Sequence, residues 1–137
     1  MAPTEQTDGD TDRSAPPRSL RILIADDERD TVLTLLELLR EEGHDARGVY
    51  KGEDVLARMR DFEPDVVLLD IAMPGLSGWE VARKIRETHG NKPVLIAISG
   101  MYSQSSDQIL GKAAGFNYYL SKPCDLGVLL KLLAECS

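Results

Sequence analysis

Five short apolar runs, at 20–25, 46–50, 66–69, 94–98 and 118–120, set the strongest limit on what this chain can fold into. Most of them look like strands. Between and after them, apolar residues recur at three- and four-residue spacing, the signature of amphipathic helices. The first such segment carries Val32, Leu35, Leu36 and Leu39, and the second Val55, Leu56, Met59 and Phe62. Val81, Ala82 and Ile85 mark the third, Ile109, Leu110, Ala113 and Ala114 the fourth, and Leu126, Leu129, Leu130 and Leu133 the last. Local punctuation agrees: Pro64 closes the second helix, Ser77 with Glu80 forms a capping box for the third, and Gly115 stops the fourth. Strand and helix thus alternate five times, which predicts an α/β fold with a parallel sheet covered by helices on both faces. The runs at 66–69 and 94–98 lack polar alternation, as strands covered on both sides should. Asp45 and Arg47 mark the second strand as an edge.

A length of 137 residues predicts one domain. Hydrophobic residues make up 42% and charged residues 28%, enough for a real core. Residues 1–18 hold Pro3, Pro16 and Pro17 and no Val, Ile, Leu or Phe, so they read as a disordered leader or linker, and 19–137 as the domain. A net charge of -7 repels nucleic acid and anionic lipid, so neither is expected as a partner. No apolar run approaches the roughly 20 residues that span a bilayer, and the N-terminus lacks a secretion signal. A soluble cytoplasmic protein is expected. Cys124 and Cys136 read as reduced, inert thiols.

In open α/β sheets ligands bind beyond the carboxyl ends of the strands. The first run ends in Asp26 and Asp27, the third in Asp70, the fourth in Ser99, and the fifth, after Ser121, in Lys122 and Pro123. Parallel strands bring these ends to one edge of the sheet. Two carboxylates about 4 Å apart repel by roughly 4 kcal/mol at an effective dielectric near 20, so three of them call for a cation or shifted pKa values. A hard divalent ion with oxygen ligands fits, Mg2+ best, and the lack of His or Cys in the set argues against zinc. Metal, carboxylate and ammonium together suit phosphoryl chemistry, with Asp70 as a nucleophile that forms an aspartyl phosphate.

These residues resemble the receiver domain of two-component response regulators, over about residues 20–135. The resemblance rests on Asp26-Asp27, on Asp70 within Leu68-Leu69-Asp70-Ile71-Ala72-Met73-Pro74-Gly75, on Ser99, and on Lys122-Pro123, each at a strand end and in order. It implies a doubly wound, flavodoxin-like five-stranded parallel sheet in the order 2-1-3-4-5. It further implies Asp70 as phosphoacceptor, and Asp26, Asp27, Asp70 and the Ala72 carbonyl as Mg2+ ligands. Lys122 would pair with the acceptor carboxylate and then with the phosphoryl group, its bond to Pro123 being cis. Ser99 and Tyr119 would form the switch, changing the surface of the fourth helix, fifth strand and fifth helix. Ser99 stands where Thr is commoner. Ala72 and Met101 offer no side-chain group to position an attacking water, so slow self-dephosphorylation is expected.

The implied partner is a histidine kinase or histidine phosphotransfer protein, with an unidentified downstream protein. The domain would promote only its own phosphorylation and dephosphorylation rather than act as an enzyme on an external substrate. Two alternatives stand beside this reading. A phosphatase of the haloacid dehalogenase kind would want an acid two residues after the nucleophile, where Ala72 stands. A non-phosphorylated scaffold would usually lack part of the acidic pair or the lysine. With the chain ending near the last helix, a stand-alone regulator is favoured over the receiver of a hybrid kinase, and a monomer is the default.

Plainer roles are open to several of these residues. Asp26 and Asp27 could cap the first helix, Tyr119 could fill the core, and Trp79 reads as packing. His44 and His89 are expected to be exposed in loops after helices, with no role. The last helix is expected to lay its leucines on the sheet.

Overall fold

The alternation read from the sequence appears directly in the computed structural model, which describes residues 19–100 and 114–136. The chain forms β1 (Arg21–Ala25), α1 (Arg29–Glu41), β2 (Asp45–Val49), α2 (Gly52–Phe62), β3 (Val66–Asp70), α3 (Gly78–His89), β4 (Val94–Ser99), β5 (Tyr118–Ser121) and a C-terminal helix (Leu126–Cys136). The readings made for residues 1–18, for Met101 and for Ile109, Leu110 and Ala113 lie outside the described residues.

All neighbouring strands are parallel, and their order is β2-β1-β3-β4-β5. The predicted flavodoxin-like arrangement is therefore the observed one. Side chains alternate across a strand, and the sheet accordingly has two cores. Leu23, Val67, Leu69, Leu95 and Ala97 pack under α2 and α3. Ile22, Ile24, Leu68, Ile96 and Ile98 pack under α1 and the C-terminal helix, which contributes Leu129 and Leu133. Full burial of a leucine is worth about 1.5 to 3 kcal/mol, so those two side chains contribute substantially to holding the last helix on the sheet. β3 is buried along its whole length, and β2 is exposed at alternate positions, the pattern of an edge.

The helix boundaries follow the local signals. The Ser77 hydroxyl oxygen accepts from the Glu80 amide and the Glu80 carboxylate accepts from the Ser77 amide, closing the predicted capping box. α2 ends at Phe62, and Glu63 turns left-handed at φ 51° just before Pro64. At the start of α1 the N-cap is Glu28 rather than either aspartate, although Asp26 Oδ1 accepts the Glu28 amide at 2.9 Å.

Two histidines depart from expectation. His44 is only 8% exposed. The parallel pairing of β1 with β2 folds it under Leu20, whose amide donates to His44 Nδ1 at 3.1 Å. His89 is the last residue of α3, not part of the following loop, and is half-buried. No helix among the described residues is long and apolar enough to cross a membrane.

Candidate phosphoacceptor site

β1 and β3 lie side by side at the centre of the sheet, and their carboxyl ends bring three aspartates together. Carboxylate oxygens of Asp26, Asp27 and Asp70 all lie within 4.8 Å of one another. Asp26 and Asp70 are 2% and 4% exposed, whereas Asp27 is open to solvent. The loop after β3 holds Asp70 from below: its Oδ1 accepts the Ala72 amide at 3.0 Å. Gly78 starts α3 so close to this loop that a Cβ there would lie 2.8 Å from the Asp70 carbonyl oxygen and 2.7 Å from the Ile71 Cα. Only a residue without a side chain permits that approach.

Lys122 reaches the cluster from the end of β5. Its Nζ lies 3.0 Å from Asp26 Oδ2 and 3.3 Å from Asp70 Oδ2, so the ammonium bridges two aspartates and does not serve Asp70 alone. The Lys122 amide donates to the Ser99 carbonyl at 3.0 Å, and the Lys122–Pro123 peptide is cis. A cleft of about 510 Å3 opens beside Lys122, between Thr31, Thr34 and Leu38 on α1 and Pro123 and Cys124 on the other wall.

Burial is the foremost influence on the Asp26 carboxyl and pushes it above its usual range. The Glu28 amide and Lys122 oppose the shift, and the Asp70 charge adds to it. Burial also acts against the Lys122 ammonium, but its hydrogen bond to Asp26 and the charges of Asp70 and Asp26 outweigh this and hold it above its ordinary value. Among the described residues, one cation thus faces three acids. The donor set consists of hard oxygens in a partly desolvated pocket, with room left on the exposed side at Asp27. These residues fit a small divalent cation of the Mg2+ type, which retains water and accepts one or two carboxylates.

Ser99, at the end of β4, is 5% exposed. Strand register pairs Ala97 with Tyr119 and Ser99 with Ser121, so Ser99 and Tyr119 occupy the same face of adjacent strands, two residues apart in register. Tyr119 is half-buried against the core under α3. Trp79 packs there as expected, and Phe116 joins it, a neighbour that no pattern in the sequence marked. Cys124 and Cys136 are free. Burial first, then the charges of Asp125 and Glu135 respectively, raise both thiols, which disfavours the reactive thiolate.

Comparison with known proteins agrees with this geometry. Residues 22–134 match the response regulator receiver domain. Protein PilH of Pseudomonas aeruginosa is 36% identical over 113 residues, which cover 82% of this chain and 93% of PilH. The BeF3-activated DrrB receiver domain superposes with a TM-score of 0.77 at 26% identity, over 87% of this chain and 97% of that one. A CheY-like receiver domain protein from Methanospirillum hungatei JF-1 gives a TM-score of 0.79 over 86% of this chain and 93% of its own. At 24% identity, that last likeness speaks for the fold. Sequence match, strand order and the strand-end acidic pocket converge, and the chain belongs to the response regulator receiver domain family.

Proposed function

We propose that this receiver domain accepts a phosphoryl group on Asp70 from a histidine kinase or histidine phosphotransfer protein. The observation that carries the reading is the Asp70 carboxylate itself. It ends a fully buried strand, within 4.8 Å of the Asp26 and Asp27 oxygens and 3.3 Å from an ammonium. In the step, an Asp70 carboxylate oxygen attacks phosphorus, the bond from phosphorus to the donor imidazole nitrogen breaks, and that nitrogen keeps the electron pair.

Asp26, Asp27, Asp70 and the Ala72 carbonyl would hold Mg2+, which when bound supplies positive charge next to the transferred group. The Ala72 amide fixes the Asp70 carboxylate through Oδ1. Lys122 stands ready to exchange its Asp70 contact for a phosphoryl oxygen. Asp26 keeps the lysine aimed, through its 3.0 Å ion pair. Phosphorylation adds roughly 1.5 to 2 negative charges and new acceptor oxygens. Ser99 would donate to one of them and vacate space toward Tyr119, altering the surface around β5 and the C-terminal helix that a downstream protein reads.

Ala72 stands where a haloacid dehalogenase phosphatase would carry its second acid, which favours signalling over turnover. Intact-mass spectrometry after incubation with acetyl phosphate tests the proposal. A single phosphoryl adduct is expected with Mg2+, and none without Mg2+ or in Asp70→Asn. Absence of the adduct from the wild type under every condition would leave a non-phosphorylated scaffold.

A further inference from the structure

The start of α3 joins the acceptor loop to the aromatic side chain that shares a sheet face with Ser99. Gly78 donates its amide to the Ile71 carbonyl at 3.0 Å and sits against the Asp70 carbonyl. The next residue, Trp79, packs against the core that holds Phe116 and Tyr119. Its ring lies 6.4 Å from the Tyr119 ring, tilted by 48°, and 5.9 Å from Phe116, edge to face at 78°. Phe116 closes the triangle at 5.8 Å from Tyr119. Tyr119 thus rests on two aromatic surfaces, one of which belongs to a helix whose first residue is packed on the backbone of the acceptor aspartate. Packed side chains in a dense interior move as a unit more readily than they deform.

We infer that Trp79 is a positioning residue for Tyr119. It transmits displacement of the Asp70–Gly78 contact to the ring on β5 along a path separate from the Ser99 hydroxyl. This rests on the phosphoacceptor reading above and deepens it. Two consequences follow. The orientation of Tyr119 depends on the ring at position 79 as well as on the serine, and the indole senses any rotation of Tyr119.

Trp79 is the sole tryptophan of the chain, so its emission can be read without interference from another. The experiment uses the whole chain with Mg2+ and beryllofluoride as the probe. Adduct formation is followed by fluorine NMR, and Trp79 emission in the same samples. Emission is expected to change in proportion to the adduct, and the change per adduct to persist in Ser99→Ala. In a second arm, the Tyr119 ring carbons are followed by NMR. Trp79→Leu should displace their resonances before any probe is added, and Trp79→Phe, which keeps an aromatic face, should restore the wild-type positions. An adduct that leaves Trp79 emission unchanged, or an emission change per adduct that is lost in Ser99→Ala, overturns the inference and leaves the phosphoacceptor reading standing. So do Tyr119 resonances that ignore Trp79→Leu. No adduct in the wild type removes the reading and the inference together.

Discussion

The two edges of the sheet are built on opposite terms. At the carboxyl edge, three carboxylates crowd within 4.8 Å of one another and share one ammonium. At the amino edge, donors meet mostly neutral acceptors in a hydrogen-bonded network. Arg86 alone donates to the carbonyls of Gly115 at 2.9 Å, Gly90 at 2.9 Å and Pro93 at 2.8 Å, and to Asn117 Oδ1 at 2.8 Å. Asn117 Oδ1 also accepts the Leu95 amide, Asp65 accepts the Arg21 amide, and Arg21 Nε donates to the Glu63 carbonyl. Arg40, Arg60, Arg86 and His89 stand in the last turns of their helices, where positive charge favours the exposed carbonyls. One edge secures the fold, and the other concentrates buried charge at a cost in stability.

The largest effect expected from this contrast is at Arg86. Arg86→Met keeps much of the stem and removes four charged hydrogen bonds, and should cost about 2 to 4 kcal/mol in urea unfolding. A loss below about 1 kcal/mol would place the source of stability elsewhere.

The opposite sign is expected at Asp26. Burial raises its carboxyl above the unfolded value of 3.8, so its ionised form is the one the fold disfavours. Its contribution is best below that value and is lost as pH rises through the folded pKa. Without Mg2+, Asp26→Asn should therefore stabilise the protein at pH 7 by about 1 kcal/mol, with the gain shrinking as pH falls toward 4. Added Mg2+ should stabilise the wild type more than the variant. A destabilised Asp26→Asn at neutral pH would mean that the Lys122 pair outweighs desolvation.

The smallest effect is at His44. Burial first holds its imidazole below the ordinary 6.5, against the opposing charge of Glu42. Nδ1 accepts the Leu20 amide, which places the neutral ring's proton on Nε2. Its stability contribution is complete above 6.5 and falls as pH drops through the folded pKa. Between pH 7 and 5 the wild type should lose about 0.5 kcal/mol more than His44→Gln in parallel urea titrations. Identical slopes would remove His44 from the set of paired groups at the amino edge.

What could be read in advance follows from how local each signal is. Apolar runs at 66–69 and 94–98 announced buried strands, and Ser77 with Glu80 announced the cap of α3, because the residues concerned are neighbours in the chain. The acids and Lys122 were legible because parallel strands send all their carboxyl ends one way. Arg86 gave no sign: two of its partners lie 29 and 31 residues ahead, and an arginine in an amphipathic helix reads as a solvated face. His44 was misjudged for a related reason. Its position after a helix suggests exposure, and only the register of β1 against β2 buries it. The second contact of Lys122, to Asp26, likewise depends on side-chain reach across two strands, which spacing does not encode.

β2 brings a further consequence. It ends the sheet, and a free strand edge is a template for another chain. Here Asp45 and Arg47 form an exposed ion pair at 3.6 Å along that border, and the Arg47 guanidinium lies 4.3 Å from the centre of the Phe62 ring. An incoming strand would have to strip water from both charges and lift the arginine off its aromatic seat. That border therefore resists the sheet-to-sheet growth that leads to fibres.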